Sequence, residues 1–69
     1  MTLDDYRIEC DWSRSEMARE AKMDYLTLNR AITGETIANR SAEKLAHAIS
    51  RKLGRSIHWQ QIEGLNVKT

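Results

Sequence analysis

The sequence predicts a compact all-α domain of five helices spanning residues 1–69 as a single unit. Three observations carry this expectation. The chain has no proline and only three glycines in 69 residues, so little interrupts a helical backbone. Apolar residues recur three and four positions apart instead of alternating, which is the helical period and not the strand period. Hydroxyl and carboxylate residues stand just ahead of these runs, where they can accept hydrogen bonds from the free N–H groups of a first turn.

The elements follow in order. Leu3, Tyr6 and Cys10 give a first helix that begins almost at Met1. Ser13 followed by Glu16 forms a capping box, so a second helix starts at Arg14 with Met17, Ala18 and Ala21 as a narrow stripe of mostly small side chains. Met23 falls at the turn, and Asp24 precedes a third run whose core face is Leu28, Ala31 and Ile32. Gly34 ends that run because glycine enters the left-handed region without a steric penalty. A fourth helix is expected after the Ser41–Lys44 cap, with Leu45, Ala46, Ile49 and Leu53 facing inward. A short last run, 57–65, carries Trp59 and Ile62 as the fifth helix.

Composition narrows the function. A chain of 69 residues can fold alone, but its core is small and a second copy would help. No run approaches the ~20 apolar residues of a membrane span and no leader pattern opens the chain, so a cytoplasmic protein is expected. The lone Cys10 sits at core spacing and reads as a small packing residue. Trp12, Trp59, Met17 and Met23 read as packing residues too. His47 and His58 lack the spacing of zinc ligands, and there is no phosphate loop or nucleophile motif. Neither a metal, nor a cofactor, nor an enzyme activity is expected. Net charge is only +1 but is unevenly placed. Residues 1–24 hold four basic and seven acidic side chains, a net of −3, whereas residues 25–69 hold seven basic and three acidic, a net of +4. The surface is oriented, with its basic side beginning at the third helix.

With these residues in place the chain resembles the lambda-repressor-like helix-turn-helix domains of phage and bacterial transcription regulators. The likeness covers nearly the whole chain: LDDYRIECDWS as the first helix, SRSEMAREAKM and DYLTLNRAITG as the helix-turn-helix at about 14–33, Leu53-Gly54 ending the fourth helix, then Ile57-His58-Trp59. Three departures stand out. Lys22 occupies a turn position that the family often fills with glycine, and so must turn left-handed or reshape the turn. Arg14 replaces a frequent glutamine, and Ile32 stands where some members place an acidic partner for the first-helix arginine, so Arg7 needs another partner. No basic arm precedes the first helix.

The resemblance implies a stand-alone regulator, most simply a repressor, that binds duplex DNA as a homodimer on a palindromic operator. Its recognition helix, 25–33, would enter the major groove. Tyr25, Leu26, Thr27, Asn29 and Arg30 would then meet base edges, Arg30 forking onto guanine, Asn29 addressing adenine or a phosphate, and Leu26 and Thr27 meeting thymine methyl groups. Ser13, Arg14, Thr33, Asn39, Arg40 and Lys44 would contact phosphates at the rim. Ile57, Trp59, Ile62, Leu65 and Val67 either build the dimer interface or close the monomer's core. The competing expectation is an interaction module, antitoxin-like or anti-repressor-like, that presents the same surface to a protein.

Overall fold

A computed structural model describes residues 1–68. Four α-helices form: α1 (Leu3–Glu9), α2 (Arg14–Glu20), α3 (Tyr25–Ile32) and α4 (Asn39–Leu53). They are joined by a two-residue strand, β1 (Ile37–Ala38), and followed by a 3₁₀ turn at Trp59–Gln61 and a second short strand, β2 (Val67–Lys68). None of the helices is long and apolar enough to cross a membrane.

Local chemistry starts the first three helices. Thr2 accepts from the Asp5 N–H at 3.2 Å while the Thr2 N–H donates back to the Asp5 carboxylate at 2.9 Å. Ser13 and Glu16 repeat this reciprocal box on α2, and the Asp24 carboxylate accepts from the Thr27 N–H at 2.6 Å on α3. Each carboxylate is held below its ordinary pKa by the backbone N–H it accepts.

The same three helices end alike. Asp11, Lys22 and Gly34 all adopt positive φ, at 59°, 55° and 89°. In each case two N–H groups turn back onto the last helical carbonyls, as in Lys22 N–H to Arg19 O at 3.1 Å and Met23 N–H to Ala18 O at 3.0 Å. This double closure satisfies carbonyls that would otherwise be orphaned. Lys22 thus takes the left-handed option that a glycine would fill at lower cost. Arg7 finds its partners locally: its Nε donates to the Asp4 carboxylate at 2.7 Å and its Nη1 donates to the Trp12 carbonyl at 2.8 Å. It braces the turn between α1 and α2.

Two expectations fail. The domain is not an all-α bundle of five helices, because the region expected to form the fifth contains only the 3₁₀ turn and leads into a parallel two-stranded sheet pairing Ile37 with Val67 and Ala38 with Lys68. The physical reason lies in the competing partners of that segment. The Ser50 hydroxyl takes the Ile57 N–H at 2.8 Å, Gly64 turns left-handed at φ 77°, and the Asn66 carbonyl accepts the Ile37 N–H at 2.9 Å. Nor does Ser41 cap α4. That helix begins two residues earlier at Asn39, straight off the extended Ala38, which has no side chain able to cap.

Met17, Leu28, Leu45, Ile49 and Cys10 are the largest fully buried side chains, and they come from all four helices or their ends. Each large apolar side chain so buried contributes roughly 1.5–3 kcal/mol. Ala18, Ala21, Ala31, Ala42 and Ala48 pack in the same cluster, small enough to let helices approach closely. Trp12, Met23, Ile32, Leu53, Trp59, Leu65 and Val67 cover it from outside. Burial pushes the Cys10 thiol upward, which leaves it a poor nucleophile and a good core residue.

Candidate nucleic-acid interface

The α2–turn–α3 unit presents one face of α3 to solvent. Leu28 and Ala31 are buried, so the helical period turns Tyr25, Leu26 and Arg30 outward, with Thr27 and Asn29 half-buried beside them. Leu26 is 59% exposed and Tyr25 47%, adjacent on this face, while the other exposed large apolar side chains, Met1 and Ile8, lie in and before α1. The five residues expected to read bases therefore share one accessible stretch of helix.

The rim residues are placed unequally. Arg14, at the first position of α2, reaches across to α3 and donates through Nη1 to the Asn29 Oδ1 at 3.2 Å. Ser13 caps α2 with its oxygen, which leaves its hydroxyl proton free for a phosphate. Thr33 differs: its hydroxyl donates to the Asn29 and Arg30 carbonyls at 3.0 and 3.1 Å, and the Glu35 carboxylate stands 3.4 Å away. With its proton so used and an anion beside it, Thr33 is poorly suited to hold a phosphate.

Asn39 and Arg40 open α4, not a loop before it. No side chain caps this helix, and while the sheet pairing of Ala38 with Lys68 turns the Asn39 N–H toward β2, the next N–H groups of the first turn lie beside the exposed Arg40 guanidinium. Lys44, one turn on, donates from Nζ to the Lys22 carbonyl at 3.5 Å and so ties α4 to the turn of the helix pair. Lys22 was legible in the sequence only as a conformational problem, yet it is also an exposed cation next to α3. The N-terminus of α3 offers the contrast. The Asp24 carboxylate accepts from the Thr27 N–H there, so a negative charge already sits at the end of α3.

An open groove of about 690 Å³ runs along α4 toward the 3₁₀ turn, with Arg40, Lys44, His47, His58 and Trp59 among its lining residues. The residues expected at a dimer interface divide here. Ile57 and Ile62 are 8% and 4% exposed, so they take the second of the two roles expected of them and close the core, with little area left for a partner. Trp59, Leu65 and Val67 remain half-buried and keep some surface.

Two of the remaining basic residues are engaged elsewhere. Arg55 pairs with Glu9 at 3.0 Å and Arg51 donates to the Glu20 carbonyl at 3.4 Å, both binding the far end of α4 to α1 and α2. Comparison with protein-family models, with curated proteins and with solved structures gives no match to this chain.

Proposed function

We propose that the chain is a sequence-specific duplex-DNA-binding regulator of the helix-turn-helix kind, acting as a repressor, with α3 entering the major groove. The observation that carries this reading is the accessible row Tyr25, Leu26, Thr27, Asn29 and Arg30 on a helix whose opposite side is locked into the core. A helix so mounted is held rigidly enough to present side chains to base edges. The uncapped start of α4 beside Arg40, together with Arg14 and Lys44, supplies groups suited to the phosphates on either side.

Size argues for two copies on one site. Extents of 27 × 22 × 18 Å are less than one helical turn of DNA, about 34 Å, so a single copy addresses few base pairs. Trp59, Leu65 and Val67 retain area for a second copy. The resemblance to lambda-repressor-like domains supports the same assignment through the helix pair, though the C-terminal part departs from an all-helical plan.

One observation favours a rival. Tyr25 and Leu26 are apolar enough to suit a protein partner, as an interaction module would require. Selection of bound sites from random duplexes, followed by titration of an enriched site over a range of salt, separates the two. The DNA reading expects an enriched palindrome and an affinity that falls steeply as salt rises. Absence of both overturns it.

A further inference from the structure

We propose that the groove between α4 and the segment 56–60 is a binding site for a nucleoside monophosphate, whose phosphate takes the cations that otherwise serve DNA. The site stands on the groove itself, and its competition with DNA rests on the DNA-binding reading.

The volume of the groove, about 690 Å³, lies within the roughly 300–1,000 Å³ of sites that hold small ligands. One wall is α4. Along it Arg40 and Lys44 stand four apart on one row, while Glu43, Ala46 and Ser50 follow one another on the adjacent row. This second row faces the opposite wall, because the Ser50 hydroxyl accepts from the Ile57 N–H at 2.8 Å. Trp59 lines that wall, half-buried, and the buried Ala46 and Ile57 give the groove an apolar floor.

Three kinds of chemistry meet there. Arg40 and Lys44 are exposed, and among the described residues neither belongs to an ion pair. Two cations one helical turn apart match the charge of about −1.5 to −2 on a phosphate monoester, and a guanidinium can fork onto two of its oxygens. Trp59 offers a flat apolar face on which a base can stack, and His58 and Gln60 beside it carry donors and acceptors for the base edge. Glu43 decides between ligands. Its exposed carboxylate, also outside every ion pair among the described residues, repels an acidic peptide or a run of phosphates. A ribose turns that liability into a contact, because its hydroxyls donate and a carboxylate only accepts. Phosphate, sugar and base thus each have a partner. Since Arg40 and Lys44 are the cations assigned to DNA phosphates, a bound nucleotide occupies them and lowers affinity for the operator.

Calorimetry of the wild type with AMP and GMP tests the site, and Trp12→Phe, which leaves Trp59 as the only tryptophan, reports the same binding by fluorescence. Saturable binding near roughly 0.1 mM with a change in Trp59 emission is expected, and inorganic phosphate and adenosine should each bind at least about tenfold more weakly than AMP. Arg40→Ala and Lys44→Ala should each weaken AMP binding by roughly tenfold. A dideoxy analogue lacking both ribose hydroxyls should bind the wild type about fivefold more weakly than AMP, and Glu43→Ala should erase that difference. Absence of saturation with either nucleotide by about 10 mM overturns the site, as does inorganic phosphate binding as tightly as AMP, which leaves only the two cations at work. If Trp12→Phe does not fold, calorimetry decides alone. Added AMP should weaken binding of the wild type to the enriched duplex, and an unchanged affinity with the nucleotide bound overturns the competition. A chain that enriches no duplex defeats the DNA reading only, because the titrations without DNA still judge the groove.

Discussion

Lys22 shows how much one residue's backbone can matter in so small a domain. Its φ of 55° closes α2 and sets the angle at which α3 leaves, and its carbonyl accepts from Lys44. A left-handed non-glycine residue costs about 1–2 kcal/mol, part of which glycine returns through its looser unfolded chain. Lys22→Gly should therefore raise stability by up to about 1 kcal/mol, and Lys22→Val should lower it by about the same amount, as read from urea midpoints. Ser50 is the complementary case, a half-buried hydroxyl that donates to the Ala46 carbonyl at 2.7 Å and accepts from the Ile57 N–H at 2.8 Å. Ser50→Ala strands that N–H next to the core and should cost about 1–3 kcal/mol in the same measurement. The strain at Lys22 could be read from the resemblance, because the residue stands at a turn position that lambda-repressor-like domains often fill with glycine. The role of Ser50 could not, since its partner lies beyond Gly54 and only the folded chain brings them together.

Among the elements, α2 and α3 were legible and the segment after Gly54 was not. The difference is one of range: Ser13 with Glu16 and Asp24 with Thr27 act within one turn, so the residues that build each cap adjoin each other in sequence. The start of α4 had no such mark, for Ala38 contributes only an extended backbone. The sheet was invisible for a stronger reason. Ile37 and Val67 pair across almost half the chain, and two-residue strands carry no alternating pattern. Within β2 the faces differ, Val67 half-buried and Lys68 exposed. Val67→Ala should cost about 1 kcal/mol whereas Lys68→Ala should stay within about 0.5 kcal/mol, a contrast that urea midpoints resolve. The caps of the first three helices also give the domain an acid limit. Asp5, Glu16 and Asp24 have folded pKa values below their unfolded ones, so the unfolded chain binds more protons as pH falls. Their contribution is complete above the unfolded values of about 3.9–4.3 and is lost as pH drops through the lowered folded values. Thermal midpoints should fall in that acidic window, and Asp24→Asn, which keeps an acceptor but cannot titrate, should show a shallower fall.

Over the whole molecule, the distribution of charge decides more than its sum. A net charge of +1 gives almost no general attraction to DNA, so affinity has to come from a few well-placed cations. The separation seen in the sequence, acidic before residue 25 and basic after it, is refined by the fold because basic residues at the two ends of α4 have different employment. Arg51 and Arg55 hold α4 against α2 and α1. Arg40 is exposed at the uncapped start of α4, and Lys44 one turn later keeps ammonium protons beyond its single long bond to Lys22. If the oriented face is what binds, Arg40→Ala and Lys44→Ala should each reduce the slope of log affinity against log salt by about 1. Arg51→Ala should leave that slope unchanged and lower stability slightly, since its guanidinium serves a helix-end carbonyl. Titration of one duplex at several salt concentrations, with the same three variants, makes the comparison directly. Equal loss of slope in all three would mean that the protein binds through diffuse basic charge, and the assignment of α3 and the start of α4 to the DNA would fall with it.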